Sequence, residues 1–523
     1  QEKFIKGQKK LKMIRLFFLI FILSISISAS SQSRKKILET TNEVIQSNWN
    51  NFFEMLSIPN DGYDTPNIER NIEWCEKTFS RLGFNMERVK AESTSPSMPN
   101  HPLLIGNKFI FNKFKTVLIY FHMDGQPVDP SKWNQADPFD PILTVNNNGD
   151  WVEIDRDRIN TNPDPDWRIF GRSTSDDKGP PMMLVNALEI LEKLNKKPEF
   201  NIKLIIDFQE EMGSPTVVSA VSLYKEKLKS DFLLIIDGPR HPSNKPTLTF
   251  GARGISRITL TSYGPIKPQH SGHFGNYAPN PAMNLSKILS SMKDYDGVVT
   301  IPGFYDGVTL TNQIRKILDE VPDDEEAINN DLLISSPDKV GNNYQEAIQY
   351  PSLNVRGLKS GWVGKEARTI VPDIAIAEID VRLVKESEPE KLLNMIKDHI
   401  IKEGAYVIDG REPTNEERLT KKNIIRYDSK ISYLAYRTEI DSPIGNWASR
   451  ALKNAFLEEP IKKRTSGGSI PISPFVTTLN VPALTYPSVN KDNNQHSPNE
   501  NIRVGNFIDG TLGMVYLLLE KIN

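Results

Sequence analysis

Two histidines and a set of carboxylates fall in five short fragments of this chain. They are Phe121-His122-Met123-Asp124, Ser175-Asp176-Asp177-Lys178-Gly179, Gln209-Glu210-Glu211-Met212-Gly213-Ser214, Ile236-Asp237-Gly238-Pro239 and Gln495-His496-Ser497-Pro498. Imidazole nitrogen and carboxylate oxygen are the ligands that zinc and similar borderline divalent cations take. Two such cations sharing one carboxylate sit roughly 3.5–4 Å apart and clamp both oxygens of a hydrolytic transition state. Water bound there drops from a pKa of about 15.7 toward roughly 7. It still needs an unligated carboxylate as general base. The neighbours Glu210 and Glu211 can divide those tasks. The pattern reads as a metallohydrolase.

The surrounding sequence must bring these groups together. Lys115–Phe121 is a continuous apolar strand that delivers His122, Asn201–Phe208 a second ending at Glu210-Glu211, and Asp231–Ile236 a third ending at Asp237. Residues 35–58 and 66–82 read as amphipathic helices, and Pro180–Asn195 as a helix with proline in its first turn. Strand and helix alternating in this way imply a parallel-rich sheet covered by helices. Ligands then collect beyond the carboxyl ends of the strands. From about residue 250 the texture changes. Ser256–Thr261 and Ile374–Arg382 alternate in period two, with helices near 281–293 and 388–403. Residues 302–350 read as polar and loop-rich, and 410–430 as a charged excursion. The first texture returns with a helix over Ile444–Leu457 and the apolar Val481–Tyr486. The fold class is therefore α/β, a catalytic domain (35–250 and 441–523) interrupted by a smaller domain (251–440).

The chain has 523 residues, with 64 basic against 66 acidic side chains and no long single-sign run. That balance argues against a nucleic-acid binder. Lys9, Lys10, Lys12 and Arg15 precede the apolar run Leu16–Leu23, and small residues follow at Ser26, Ser28, Ala29, Ser30 and Ser31. Residues 1–31 thus read as a secretory signal peptide and upstream residues, the apolar run being short of the roughly 20 residues a span needs. The expectation is a secreted or periplasmic protein with no membrane span once the signal is removed. Cys75 is the only cysteine, so an intramolecular disulfide is impossible. Its helical context predicts a buried thiol.

In this order and spacing, the fragments resemble the dinuclear zinc peptidase family of carnosinase-type dipeptidases, aminoacylases, carboxypeptidase G and succinyl-diaminopimelate desuccinylase (peptidase family M20). The likeness runs from about 115 to 505 and is strongest around His122–Pro130, with Trp133, Pro138 and Phe139 beyond. The resemblance implies a zinc-exopeptidase-like catalytic domain, its mixed, largely parallel sheet sandwiched by helices, with an inserted α+β (ferredoxin-like) lid or dimerisation domain. It implies two divalent metal ions per chain, zinc first, with manganese or cobalt as alternatives. His122, Asp176 and Asp237 would hold the first metal, and Asp176, Glu211 and His496 the second. Asp124 would orient His122, and Glu210 would be the general base. His270, in His270-Ser271-Gly272-His273-Phe274-Gly275, would reach a partner subunit's active site, which implies a homodimer through the lid. Thr369 and Arg382 resemble the lid's substrate clamp, and Gly468 and Ser469 the Gly-rich loop that receives the substrate carboxylate.

Two departures stand out. The family's usual Gly-Arg-Gly before the bridging acid is Gly171-Arg172-Ser173 here. Ser466 stands where dipeptidase-like members often carry a Glu that helps hold the substrate amine. Each fragment alone has a plainer reading: Asp176-Asp177 as a helix cap, Asp237 before Gly-Pro as a turn, Glu210-Glu211 as a solvated edge. Of 7 histidines, however, three (His122, His270 and His496) fall in motifs. The leading expectation is an exported metallopeptidase acting on small peptide substrates. The rivals are an amidohydrolase of N-acyl amino acids and a non-catalytic binding relative.

Overall fold

The apolar run after Lys115 forms the strand Thr116–His122, six of whose seven residues are buried. Such a run, apolar on both faces, belongs in the middle of a covered parallel sheet. There it lies, paired in parallel with Asn201–Asp207 on one side and Phe232–Ile235 on the other. The computed structural model describes residues 32–161 and 163–522. The signal-peptide pattern of residues 1–31 lies outside the described residues. Among the described residues, no helix is long and apolar enough to cross a membrane.

The main sheet has eight strands, in the order Asn85–Val89, Leu103–Lys108, Asn201–Asp207, Thr116–His122, Phe232–Ile235, Ala483–Thr485, Thr247–Thr249, Ile461–Lys463. Its four middle strands are mutually parallel and the flanking pairings include antiparallel ones, giving a mixed sheet. One face is covered by the helix through residues 32–56, Thr65–Arg81, Gly179–Lys193, Pro443–Phe456 and Val504–Leu519, whose inner sides share one core. Val217–Leu223 and Ser473–Leu479 cover the other. Cys75 is buried in the first core, where desolvation pushes its thiol far up. That suits a packing residue.

The second sheet is built from Gly254–Tyr263, Ser352–Ser360, Ile374–Leu383 and Ile424–Tyr433, with Tyr406–Asp409 added in parallel at one edge. In space the fourth, first, third and second of the four long strands lie side by side, all antiparallel. Helices Pro281–Met292 and Pro389–Lys402 pack on one face. This is the ferredoxin-like βαββαβ arrangement. Two short paired strands, Gly251–Ala252 and Tyr436–Arg437, carry the chain into and out of it.

Two local expectations change. The charged stretch 410–430 is not an excursion throughout, since Ile424–Tyr433 is an interior strand of the second sheet. Its charges face outward while Ile425 and Tyr427 are buried, and the density of Lys, Arg and Glu hid that alternation. Residues 302–350 are more regular than their polarity implies. They form helices Asn312–Asp319, Glu325–Leu332 and Tyr344–Ala347, each capped by the side chain of Thr311, Asp324 or Asn343.

Candidate metal centre

Every candidate ligand leaves the main sheet at the carboxyl end of a parallel strand or sits in a loop packed there. His122 is the last residue of its strand, Asp237 comes two residues after Ile235, and Glu210-Glu211 three and four residues after Asp207. His122 Nε2 lies 3.1 Å from Asp176 Oδ1. His496 Nε2 lies 3.0 Å from Asp176 Oδ2 and 3.2 Å from Glu211 Oε2. Ligand atoms of His122, Asp176 and Asp237 all fall within 4.8 Å of one another, as do those of Asp176, Glu211 and His496. Asp176 belongs to both triads, one oxygen facing each histidine. The site opens on the His496 side, since that side chain is 53% exposed while Asp176 is 8% exposed.

Supporting hydrogen bonds fix these groups. Asp124 is fully buried, with one carboxylate oxygen 3.4 Å from His122 Nδ1. Its two oxygens also accept the backbone N–H groups of Glu210 and Glu211, each at 3.0 Å. Gln126 donates to Glu211 at 2.8 Å, and Gln495 to Asp176 at 3.2 Å. Sequence reasoning missed Glu500. This buried carboxylate accepts the N–H groups of Ser173, Ser175 and Asp176 at 2.9–3.0 Å and pairs with Arg172 at 2.7 Å. It holds the loop that presents Asp176. Its sequence signal is faint, an acid four residues beyond His496. Lys178 was also overlooked. Wholly buried, its ammonium donates to Met55 O and Ile58 O beneath the same loop, and desolvation lowers its pKa to about 7. Asp177 is not a helix cap. Lys178 occupies the cap position of Gly179–Lys193, and the Asp177 carboxylate is buried with no hydrogen-bond partner among the described residues.

Packing several acids together out of water makes them hold protons. Burial and then the charge of Asp176 raise Glu211 to about 7 and Asp237 to about 6. Burial raises Glu210 well above the carboxylate range, against the pull of His122 and with the push of Glu211 and Asp237. Burial opposes ionisation of Asp176 too, but hydrogen bonds from His122 and His496 win and its pKa falls. His496, hydrogen-bonded to Asp176, rises to about 9 despite partial desolvation. Two N/O triads sharing one carboxylate suit divalent zinc, manganese or cobalt, and cations there would neutralise this crowded charge. The residues fit a pair of metals.

The remaining expected site residues belong to neither triad. Arg382 donates to Ser469 Oγ at 2.9 Å, which ties the strand Ile374–Leu383 to the Gly-rich loop. Gly468 N–H donates to Ser466 Oγ at 3.2 Å. His270 and Thr369 sit together on the lid, where Ser271 N–H donates to Thr369 O at 3.1 Å. His270 is exposed, and its Nδ1 accepts the N–H of Gly272 at 3.0 Å. It belongs to neither triad of its own chain.

The chain is similar over most of its length to characterised enzymes. It is 28% identical over 494 residues to the Cys-Gly metallodipeptidase dug1 of Schizosaccharomyces pombe, covering 91% of this chain and 96% of the relative. It is 26% identical over 456 residues to the Beta-Ala-His dipeptidase of Homo sapiens, covering 85% and 83%. Its fold matches that of an M20 family metallo-carboxypeptidase, Sso-CP2 from Sulfolobus solfataricus, with a TM-score of 0.71, 27% identity and coverage of 90% and 97%. The model of Peptidase family M20/M25/M40 matches residues 118–520, a span that begins in the His122 strand and includes both triads. With that match and the paired donor triads together, the chain belongs to the M20/M25/M40 family and is a metallopeptidase.

Proposed function

We propose that the protein is an exported exopeptidase that hydrolyses dipeptides or short peptides with two divalent cations. The observation that carries this reading is the shared carboxylate of Asp176, flanked by two histidines, with Glu210 left outside both triads. His122, Asp176 and Asp237 would hold one cation, and Asp176, Glu211 and His496 the other. When bound, the pair supplies Lewis acidity and lowers the pKa of a water molecule. Glu210 takes the proton of that water and delivers it to the leaving amine. Burial raises its pKa, which strengthens it as a proton acceptor. Asp124 keeps His122 and the Glu210-Glu211 turn in register. Arg382, Thr369, Gly468 and Ser469 receive the substrate carboxylate, the guanidinium fork being suited to it. The names of the two dipeptidase relatives support dipeptides as the substrate class.

Residues 251–440 act as one lid unit in this reading, and a homodimer through the lid places His270 over the partner's centre. Its exposure on the lid and its absence from both triads of its own chain support that role. The basic, apolar, small-residue order of residues 9–31 supports secretion or delivery to a periplasm. Ser466 favours one second reading, hydrolysis of N-acyl amino acids, because it puts a hydroxyl and no acid at that point of the Gly-rich loop.

Metal analysis of the purified protein, run beside hydrolysis of dipeptides, tripeptides and N-acetyl amino acids, tests the proposal. About two metals per chain and preference for amine-terminated peptides are expected. Turnover of acylated substrates alone would replace the peptidase with the amidohydrolase. No turnover after reconstitution with zinc, manganese or cobalt would leave a binding protein.

A further inference from the structure

The helices of residues 302–350 enclose, with the entry to the lid, a cavity of about 340 Å³. That volume is within the range of small-molecule sites. Most of its wall area is apolar, from residues that include Val299, Tyr305, Ile328, Ile348 and Leu353, and no ligand of the metal centre lines it. It lies behind the Gly-rich loop. A Cβ on Gly467 would stand 3.7 Å from Ile348 Cγ2 and 3.8 Å from the Tyr344 hydroxyl, and both residues are wall residues.

Arg253 also lines this cavity and is only 8% exposed. Its Nη2 donates to Tyr350 O at 2.8 Å and Ser352 Oγ at 3.0 Å, both neutral. Its Nε has no partner, and among the described residues no carboxylate pairs with the guanidinium. The other charged groups at the cavity are already engaged, Lys293 with Asp338 at 2.8 Å and Glu325 with the Tyr344 N–H at 2.5 Å. Burial, and then the cation Arg382, pull the Arg253 pKa down to about 10, which still leaves it charged at neutral pH. A buried cation with only neutral acceptors is costly, and an anion that meets its fork offsets that cost.

We propose that this cavity binds a small carboxylate bearing an apolar tail, the carboxylate on Arg253 and the tail among Val299, Tyr305, Ile328 and Leu353. The site is distinct from the metal centre, and its ligand is bound and not hydrolysed. It also gives residues 302–350 a purpose beyond covering the lid, because their helices supply one wall.

Calorimetric titration of the metal-loaded protein with octanoate, with octylamine as the cationic control, tests this. Octanoate is expected to bind at one site and octylamine not at all. Arg253→Gln should weaken octanoate at least tenfold. Because that variant touches the entry to the lid, Ile328→Trp is the second test. It fills the tail space from a half-buried helix position, and should weaken octanoate similarly while leaving peptide hydrolysis unchanged. Failure of octanoate to bind, or wild-type affinity in both variants, overturns the proposal. So does octanoate binding that vanishes when the metals are chelated, since the probe would then be a metal ligand.

Discussion

The Asp124 carboxylate accepts the backbone N–H of Glu210 at 3.0 Å, so the residue that faces His122 also fixes the proposed general base. One buried acid thereby sets the spacing between a strand end and the neighbouring turn. Asp124→Asn keeps the shape but replaces one acceptor oxygen with a donor. Outer partners of metal ligands are typically worth roughly 10–100-fold in affinity or activity. We expect kcat to fall by about that factor, with the fold retained by circular dichroism. Wild-type kcat in this variant would remove Asp124 from the machinery.

Glu210→Gln separates base from ligand. General acid–base groups contribute roughly 10²–10⁴-fold, so kcat should fall by that range while metal content stays at the wild-type value. Full activity would transfer the role elsewhere, and lost metal would make Glu210 a ligand.

The raised carboxylate pKa values fix a pH dependence. Glu211 at about 7 and Asp237 at about 6 must be deprotonated to bind a cation. As pH falls through that window, protons compete and affinity drops. Between about pH 4 and pH 7 the metal-free folded state binds more protons than the unfolded chain, so these groups cost it stability as pH rises. His496, raised to about 9, has the same sign, its contribution fading as pH rises toward that value. Asp176, with its pKa lowered, already contributes fully over this range. Added metal should therefore raise the melting temperature more at pH 7.5 than at pH 5.5. Affinity measured by chelator competition should be at least about tenfold weaker at pH 5.5. An equal or larger thermal shift at pH 5.5 would contradict the assignment.

Glu500→Gln tests the loop that presents Asp176. The change leaves Arg172 buried without its 2.7 Å partner and weakens acceptance from three N–H groups. Breaking a buried pair from one side costs about 3–5 kcal/mol. Urea unfolding should show a loss of that order, together with reduced metal content. An unchanged midpoint would reduce Glu500 to a bystander.

What the sequence revealed follows from how burial writes itself into the chain. Strands buried on both faces read as unbroken apolar runs, so Thr116–His122, Asn201–Asp207 and Phe232–Ile235 were legible, and with them the ends that carry His122, Glu210-Glu211 and Asp237. The lid strand Ile424–Tyr433 was not. Its exposed charges masked a two-residue alternation. Glu500 and Lys178 escaped because their partners, Arg172 and the carbonyls of Met55 and Ile58, are remote in sequence and nothing local marks the residues as buried. Asp177 misled for the reverse reason, its position before a helix suggesting a local role that the fold does not use.

The bond between Arg172 and Glu500 spans 328 positions, and it has a consequence for biosynthesis. A ribosome releases the amino-terminal part first, so His122, Asp176, Glu211 and Asp237 all emerge long before His496 and Glu500. A nascent chain halted before residue 494 would have one triad lacking its histidine and the Asp176 loop lacking its brace. Under the proposed two-cation reading, full loading waits until the chain extends past Glu500, and truncation before His496 abolishes it even where the main sheet survives.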